Sequence, residues 1–203
     1  MNMSESEYAE LAKNNSELKQ LLMKQMQKPG KYATSVEGFF MSRRESDDYV
    51  ENCFYKPSVG LVVQGNKRSV VGDEEYIYGE NQCLVVSVDM PSSFFASGAT
   101  PEHPFLAVSL DLDSRIISRL VMELPPVSDA ESELYKGVAV TSVTPDILNA
   151  FLRLTELLDR PEETAFLAPG IIYEIHYRFF MGPLGRNLRR FSTVGTHGNQ
   201  IAH

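Results

Sequence analysis

Residues 55–91 read YKPSVGLVVQGNKRSVVGDEEYIYGENQCLVVSVDMP, and the fold turns on the rhythm of that stretch. The β-branched runs SVGLVV, SVV and CLVVSV suit half-buried pleated surfaces. Between them stand Gly65-Asn66, Gly72-Asp73 and Gly79-Glu80, pairs that accept the positive φ of a tight turn. Short runs with turn signals at such regular spacing predict an antiparallel sandwich or barrel and speak against alternating βαβ units.

Outward from that stretch the same pattern predicts strands at 36–44, 58–64, 67–71, 75–78, 83–88, 92–97 and 105–111, with one more at 136–143. Four helices are expected around them, at 4–28, 113–124, 145–159 and 170–181. The first opens on the capping-box pair Ser4 and Glu7 and stops at Pro29-Gly30. Its apolar stripe, Leu11, Leu18, Leu22 and Met26, is interrupted at Asn14 and Asn15, which predicts a helix laid on a larger surface. Asp113 caps the second helix, which Pro125-Pro126 ends. Thr144 with Pro145 starts the third, and Pro169 marks the start of the fourth. The last two helices are apolar on more than one face. Ile147, Phe151, Leu154 and Leu158 are the candidates for a dimer interface, with coverage by the N-terminal helix as the alternative.

The chain of 203 residues is long enough for one well-packed domain with an appendage. Its formal charge of −8 argues against tracking a phosphate backbone. From Ile175 to His203 there are four arginines and no acidic residue, so the rest of the chain carries −12 and an acidic body ends in a basic tail. No apolar run approaches the ~20 residues of a membrane span, and the polar, acid-rich N-terminus does not read as a secretory signal. Cys53 and Cys83 read as free thiols, which fits a cytoplasmic chain.

Several motifs in order resemble the N-terminal domain of one branch of the AraC-type regulators. They are the 55–91 stretch quoted above and PFLAVSLDLD at 104–113. Farther on, RPEETAFLAPGIIYEIHYRFFMGPLGRNLRRF is similar to the helix-pair region of that group, and THGNQIA to the lead-in of its DNA-binding module. The resemblance covers 36–202. It implies a mostly β, cupin-like antiparallel jelly-roll barrel with an N-terminal helix and a C-terminal helical dimerisation region. The implied boundaries are 1–30 for the N-terminal helix, 31–143 for an effector-binding barrel and 144–182 for the dimerisation region. Residues 183–203 are then a linker toward a helix-turn-helix domain beyond this chain. By position, the resemblance implies ligand contacts at Gln64, Phe94, Ala107 and Ser109, with a solvated hairpin as the other reading of Gln64 and simple barrel packing as that of the other three.

Enzymatic chemistry finds little support. Metal-binding cupins need a His-x-His pair, a carboxylate and a later histidine as converging donors. No His-x-His occurs, His103 is the one histidine in the barrel segment, and the bend VDMPSSF has none. His176 lies on an apolar helix and reads as a packed, hydrogen-bonded residue. There is no G-x-S-x-G elbow, and neither phosphate-binding glycine motif is present. Lys67 and Arg68 read first as solvated hairpin cations, with attraction of an anion as the alternative. Arg186, Arg189 and Arg190 serve either DNA phosphates or the solubility of a linker. The expectation is therefore a regulatory ligand-sensing and dimerisation domain of an AraC-type transcription factor. It would bind a small effector, form a homodimer and need no cofactor or metal. DNA contact would pass only through the domain outside this chain. The alternative is a cupin-fold enzyme with an unconventional metal site.

Overall fold

Ser4 accepts a hydrogen bond from the Glu7 backbone N–H (3.3 Å) and returns its own N–H to the Glu7 carboxylate (2.7 Å), closing the expected capping box at the head of α1 (Glu5–Gln25). The computed structural model describes residues 3–47, 49–124, 137–185 and 188–189. After α1 come β1 (Gly30–Ala33), β2 (Phe39–Arg44), β3 (Tyr49–Tyr55), β4 (Ser58–Gln64), β5 (Asn66–Val71), β6 (Glu74–Gly79), β7 (Gln82–Val86), β8 (Met90–Ser97) and β9 (Phe105–Asp111). Then follow α2 (Ser114–Glu123), β10 (Val138–Ser142), α3 (Pro145–Glu156), a 3₁₀ turn (Leu157–Asp159) and α4 (Pro161–Met181).

The strands form two antiparallel sheets, one in the order β1-β2-β9-β4-β7-β10 and one in the order β3-β8-β5-β6. This is the expected jelly-roll arrangement. The six-stranded sheet is covered on both faces. One face meets α1 and α3 in a core that includes Leu18, Leu22, Phe39, Leu61, Leu106, Leu110 and Phe151. The other face meets the four-stranded sheet in a smaller core around Val62, Tyr78, Leu84, Val86, Ala96 and Phe105. A strand buried on both faces reads as an unbroken apolar run, which accounts for LVV and CLVV in β4 and β7. β5, in the other sheet, alternates between more exposed and more covered positions because its outer face meets water.

Four expectations need correction. β1 and β3 were not anticipated. β1 is only four residues long, too short for its alternation to stand out, and β3 carries Glu51 and Asn52 at the irregularity in its register with β8. The fourth helix starts at Pro161, not near Pro169. Pro161 sits in the first turn with Glu162 and Glu163, where a missing N–H costs nothing and the acids suit the helix dipole. The helix then runs through Pro169. The third helix tightens into the 3₁₀ turn at Leu157. The first ends at Gln25, with the Met26 N–H closing on Leu22. Among the described residues no helix is long and apolar enough to cross a membrane.

Asn14 and Asn15, the interruptions in the α1 stripe, are buried. Asn15 Nδ2 donates to the Val63 carbonyl (3.1 Å) and to Asn81 Oδ1 (2.8 Å), and Asn14 Nδ2 to the Pro145 carbonyl (3.4 Å). They tie α1 to β4, to the β6–β7 turn and to the start of α3. Buried amides without such partners would cost stability, so these bonds also fix the register of the helix on the sheet.

Candidate functional site

Between the two sheets lies a cavity of about 330 Å³. It exists because a patch of the wall contributed by the six-stranded sheet is built from small side chains. Ser42 of β2, Gly60 of β4, and Ala107 and Ser109 of β9 face it. Register sets Gly60 opposite Ser109 and Ser42 opposite Ala107, so the small residues lie side by side across three strands. A Cβ built on Gly60 would meet nothing nearer than the Leu84 carbonyl, 4.0 Å away, so the space beside this glycine is open.

The opposite wall carries aromatic rings and Lys67, and Arg44 reaches toward it from β2 of the six-stranded sheet. Tyr55 and Phe94 stack with centroids 6.5 Å apart and planes at 19°. Lys67 Nζ lies 4.0 Å from the Phe94 centroid and 5.4 Å from that of Tyr55, and the Arg44 guanidinium carbon lies 5.1 Å from Phe94. Behind them the Tyr55 and Tyr78 hydroxyls each lie 3.2 Å from Ser69 Oγ. Burial pushes the Tyr55 hydroxyl up to about 12, and it raises Tyr78 against the opposing pull of Lys67, so both phenols stay protonated at neutral pH. At the end of β9, Asp111 lies in the field of the exposed Lys31 and Lys56. Partial burial raises the Asp111 carboxyl, while these two lysines pull it down.

Phe94, Ala107 and Ser109 thus line one cavity, as their positions in the sequence suggested. Gln64 does not. It follows a register shift in the β4–β9 pairing, is buried, and donates from Nε2 to the Pro104 carbonyl at 2.8 Å. The bulge re-aims the side chain, and that is why a count of strand positions misplaces it. Against the expectation of a solvated hairpin cation, Lys67 lines the cavity, whereas its neighbour Arg68 points out and pairs with Glu75. The signal was available, because period two puts Lys67 on one face with Ser69 and Val71. Arg44, Tyr55 and Tyr78 were missed altogether.

Ile147, Phe151 and Leu154 are buried within the chain itself, and Leu158 is half-buried against the same core. α1 covers α3. The apolar surplus of α3 is therefore accounted for without a second chain. Several apolar residues on α4 are exposed, Phe166 at 83%, Met181 56%, Leu167 48% and Tyr177 41%, while Met122, Ile77 and Phe54 are exposed singly on other elements. His176 of α4 is buried, with Nε2 accepting from the Asp113 N–H (2.9 Å) and Nδ1 donating to the Ile172 carbonyl (2.8 Å). Cys83 is buried and Cys53 half-buried, and both are free. Burial raises the Cys83 thiol well above its usual range. No cluster of three or more His, Cys, Asp or Glu is placed to hold a metal among the described residues. Arg186, Arg190, His197 and the THGNQIA motif lie outside the described residues.

The family model for the AraC-type transcriptional regulator N-terminus matches residues 35–187. Two solved structures of ToxT from Vibrio cholerae strain SCE256 are similar in fold. The apo form of a point variant aligns with a TM-score of 0.56 at 11% identity, covering 76% of this chain and 59% of that one. The wild-type form with unsaturated fatty acid bound aligns with a TM-score of 0.51 at 11% identity, covering 77% and 58%. The chain thus spans less than two thirds of the length of these structures. No curated protein matches the sequence at a significant level.

Proposed function

The chain belongs to the AraC-type transcriptional regulator N-terminal family, and from that premise we propose that it senses a small effector within a transcription factor, and is not an enzyme. The observation that carries this reading is the cavity, whose wall of Ser42, Gly60, Ala107 and Ser109 leaves space between two otherwise well-packed sheets. Protein interiors are filled to crystal-like density, so an opening of this size lined by a few polar groups is the usual form of a ligand site. ToxT, a similar fold, was solved with an unsaturated fatty acid bound. Among the described residues the cavity wall has no histidine or cysteine, the donors a cupin enzyme uses to hold a transition metal, which supports this reading.

In this proposal residues 31–143 bind the effector, 1–30 brace the barrel and 144–182 carry the dimer contact, all within the cytoplasm. Residues from 183 lead toward a DNA-binding domain outside this chain. The dimer face is the exposed stripe Phe166, Tyr177 and Met181 on α4, residues spaced for one side of a helix. The effector acts by binding one arrangement of the dimer better than another, and the difference in affinity sets the shift. A thermal-shift screen tests the sensing. A ligand of the native state raises Tm by mass action, and the Ala107→Leu variant, with the cavity partly filled, loses that rise. Light scattering tests the dimer. A dimer that Phe166→Glu converts to monomer is the expected result, and a wild-type monomer at tens of micromolar would remove the dimer from the proposal.

A further inference from the structure

Resting on the reading of the cavity as the effector site, we infer that the effector is an organic anion with an apolar body, its charge seated between Arg44 and Lys67. The first ground is an imbalance of charge. Among the described residues four cations line the cavity, Lys31, Arg44, Lys56 and Lys67, against one carboxylate, that of Asp111. This holds although the chain as a whole carries −8. The positive charge is therefore local to this site.

The second ground is where those charges lie. Lys31 and Lys56 are exposed and share the field of Asp111. Arg44 and Lys67 are half-buried, and Arg44 stands opposite Phe105, at the other end of β9 from Asp111. Neither pairs with a carboxylate among the described residues. Both instead approach the ring of Phe94. A half-buried cation held by ring faces retains an uncompensated charge, and a ligand carboxylate supplies the charge-assisted partner. The protonated Tyr78 hydroxyl stands beside Lys67 as a further donor toward an anion. Gly60, Val62, Leu84, Val86 and Ala107 continue the cavity as apolar surface. The body of the ligand lies along them.

The test uses this chain and a panel of matched ligand pairs, each a medium-sized aryl or alkyl carboxylate and its isosteric carboxamide, measured by thermal shift and calorimetry. The carboxylates are expected to bind at least tenfold more tightly than their amides. Arg44→Met and Lys67→Met should each remove most of that preference, and Arg68→Met, on the outer face of the sheet, should leave it intact. Amides binding as well as acids would overturn the anionic class and leave the effector reading standing, provided Ala107→Leu still blocks them. A carboxylate preference that survives in both Met variants would overturn the seat. If no member of any pair binds, the inference and the effector reading both fall.

Discussion

The two faces of β9 serve opposite ends. Leu106, Val108 and Leu110 point toward the helices and are almost wholly buried in the larger core. Between them Ala107 and Ser109 point into the barrel and meet the cavity. The same contrast extends to β2 and β4, the neighbours of β9 in the six-stranded sheet. Its helix side is filled with large side chains such as Phe39, Leu61 and Phe151. Its barrel side opposes small residues to a wall of aromatics and cations. One face closes the molecule, and the other keeps room in it. A strand with period two separates these tasks without cost to either, since successive residues never compete for the same space.

If the division is right, substitutions on the helix side cost stability and those on the barrel side cost ligand affinity. Phe151→Ala is the sharpest case, and denaturant unfolding should show a loss of about 3–5 kcal/mol for a fully buried aromatic. Asn15→Ala leaves the Val63 carbonyl and Asn81 without their donor, and should cost about 1–3 kcal/mol in the same assay. Ala107→Leu grows into open space and should change stability by less than about 1.5 kcal/mol while abolishing effector binding. A loss as large as that of Phe151→Ala would mean that the barrel side, too, is closed.

The smallest effect concerns pH. His176 accepts the Asp113 N–H, so its ring must be neutral, and burial holds its pKa below the ordinary 6.5. The unfolded chain takes up a proton near 6.5 that the folded chain refuses. The contribution of His176 is thus complete above about pH 6.5 and falls as the solution is acidified toward the folded pKa. The stability gap between wild type and His176→Gln should narrow over that range in pH-dependent thermal melts. A constant gap would show that the ring is not the neutral acceptor described.

Legibility followed the kind of signal each residue sends. The caps at Ser4, Asp113 and Thr144 stand where the sequence predicts, because a cap is a contact within four residues. The hairpins from Ser58 to Val86 are likewise local, with Gly72 at φ +59° supplying the β5–β6 turn. In the next turn Asn81, not a glycine, takes the positive φ, at 62°. The start of α4 was visible in RPEET, the same proline-then-acid signature that marks α3, but Pro169-Gly170 drew the boundary eight residues late. Phe94, Ala107 and Ser109 were legible by position on their strands. Gln64 was not, since a bulge intervenes. Arg44 and Tyr55 reach the cavity through strand pairings far apart in sequence, and no local pattern reports such a meeting. The coverage of α3 by α1 is likewise long-range, and a count of apolar residues in α3 does not distinguish it from a second subunit.

Methyl-resolved NMR of this chain, titrated with a ligand that raises its Tm, tests the central claim most directly, because the two faces carry separate methyl groups. The account predicts the largest shifts at the barrel-side methyls of Val62, Leu84, Val86 and Ala107, with the helix-side methyls of Leu18, Leu22, Leu106 and Leu110 little changed. Shifts concentrated on the helix-side set, or on α4 with the barrel methyls silent, would contradict it.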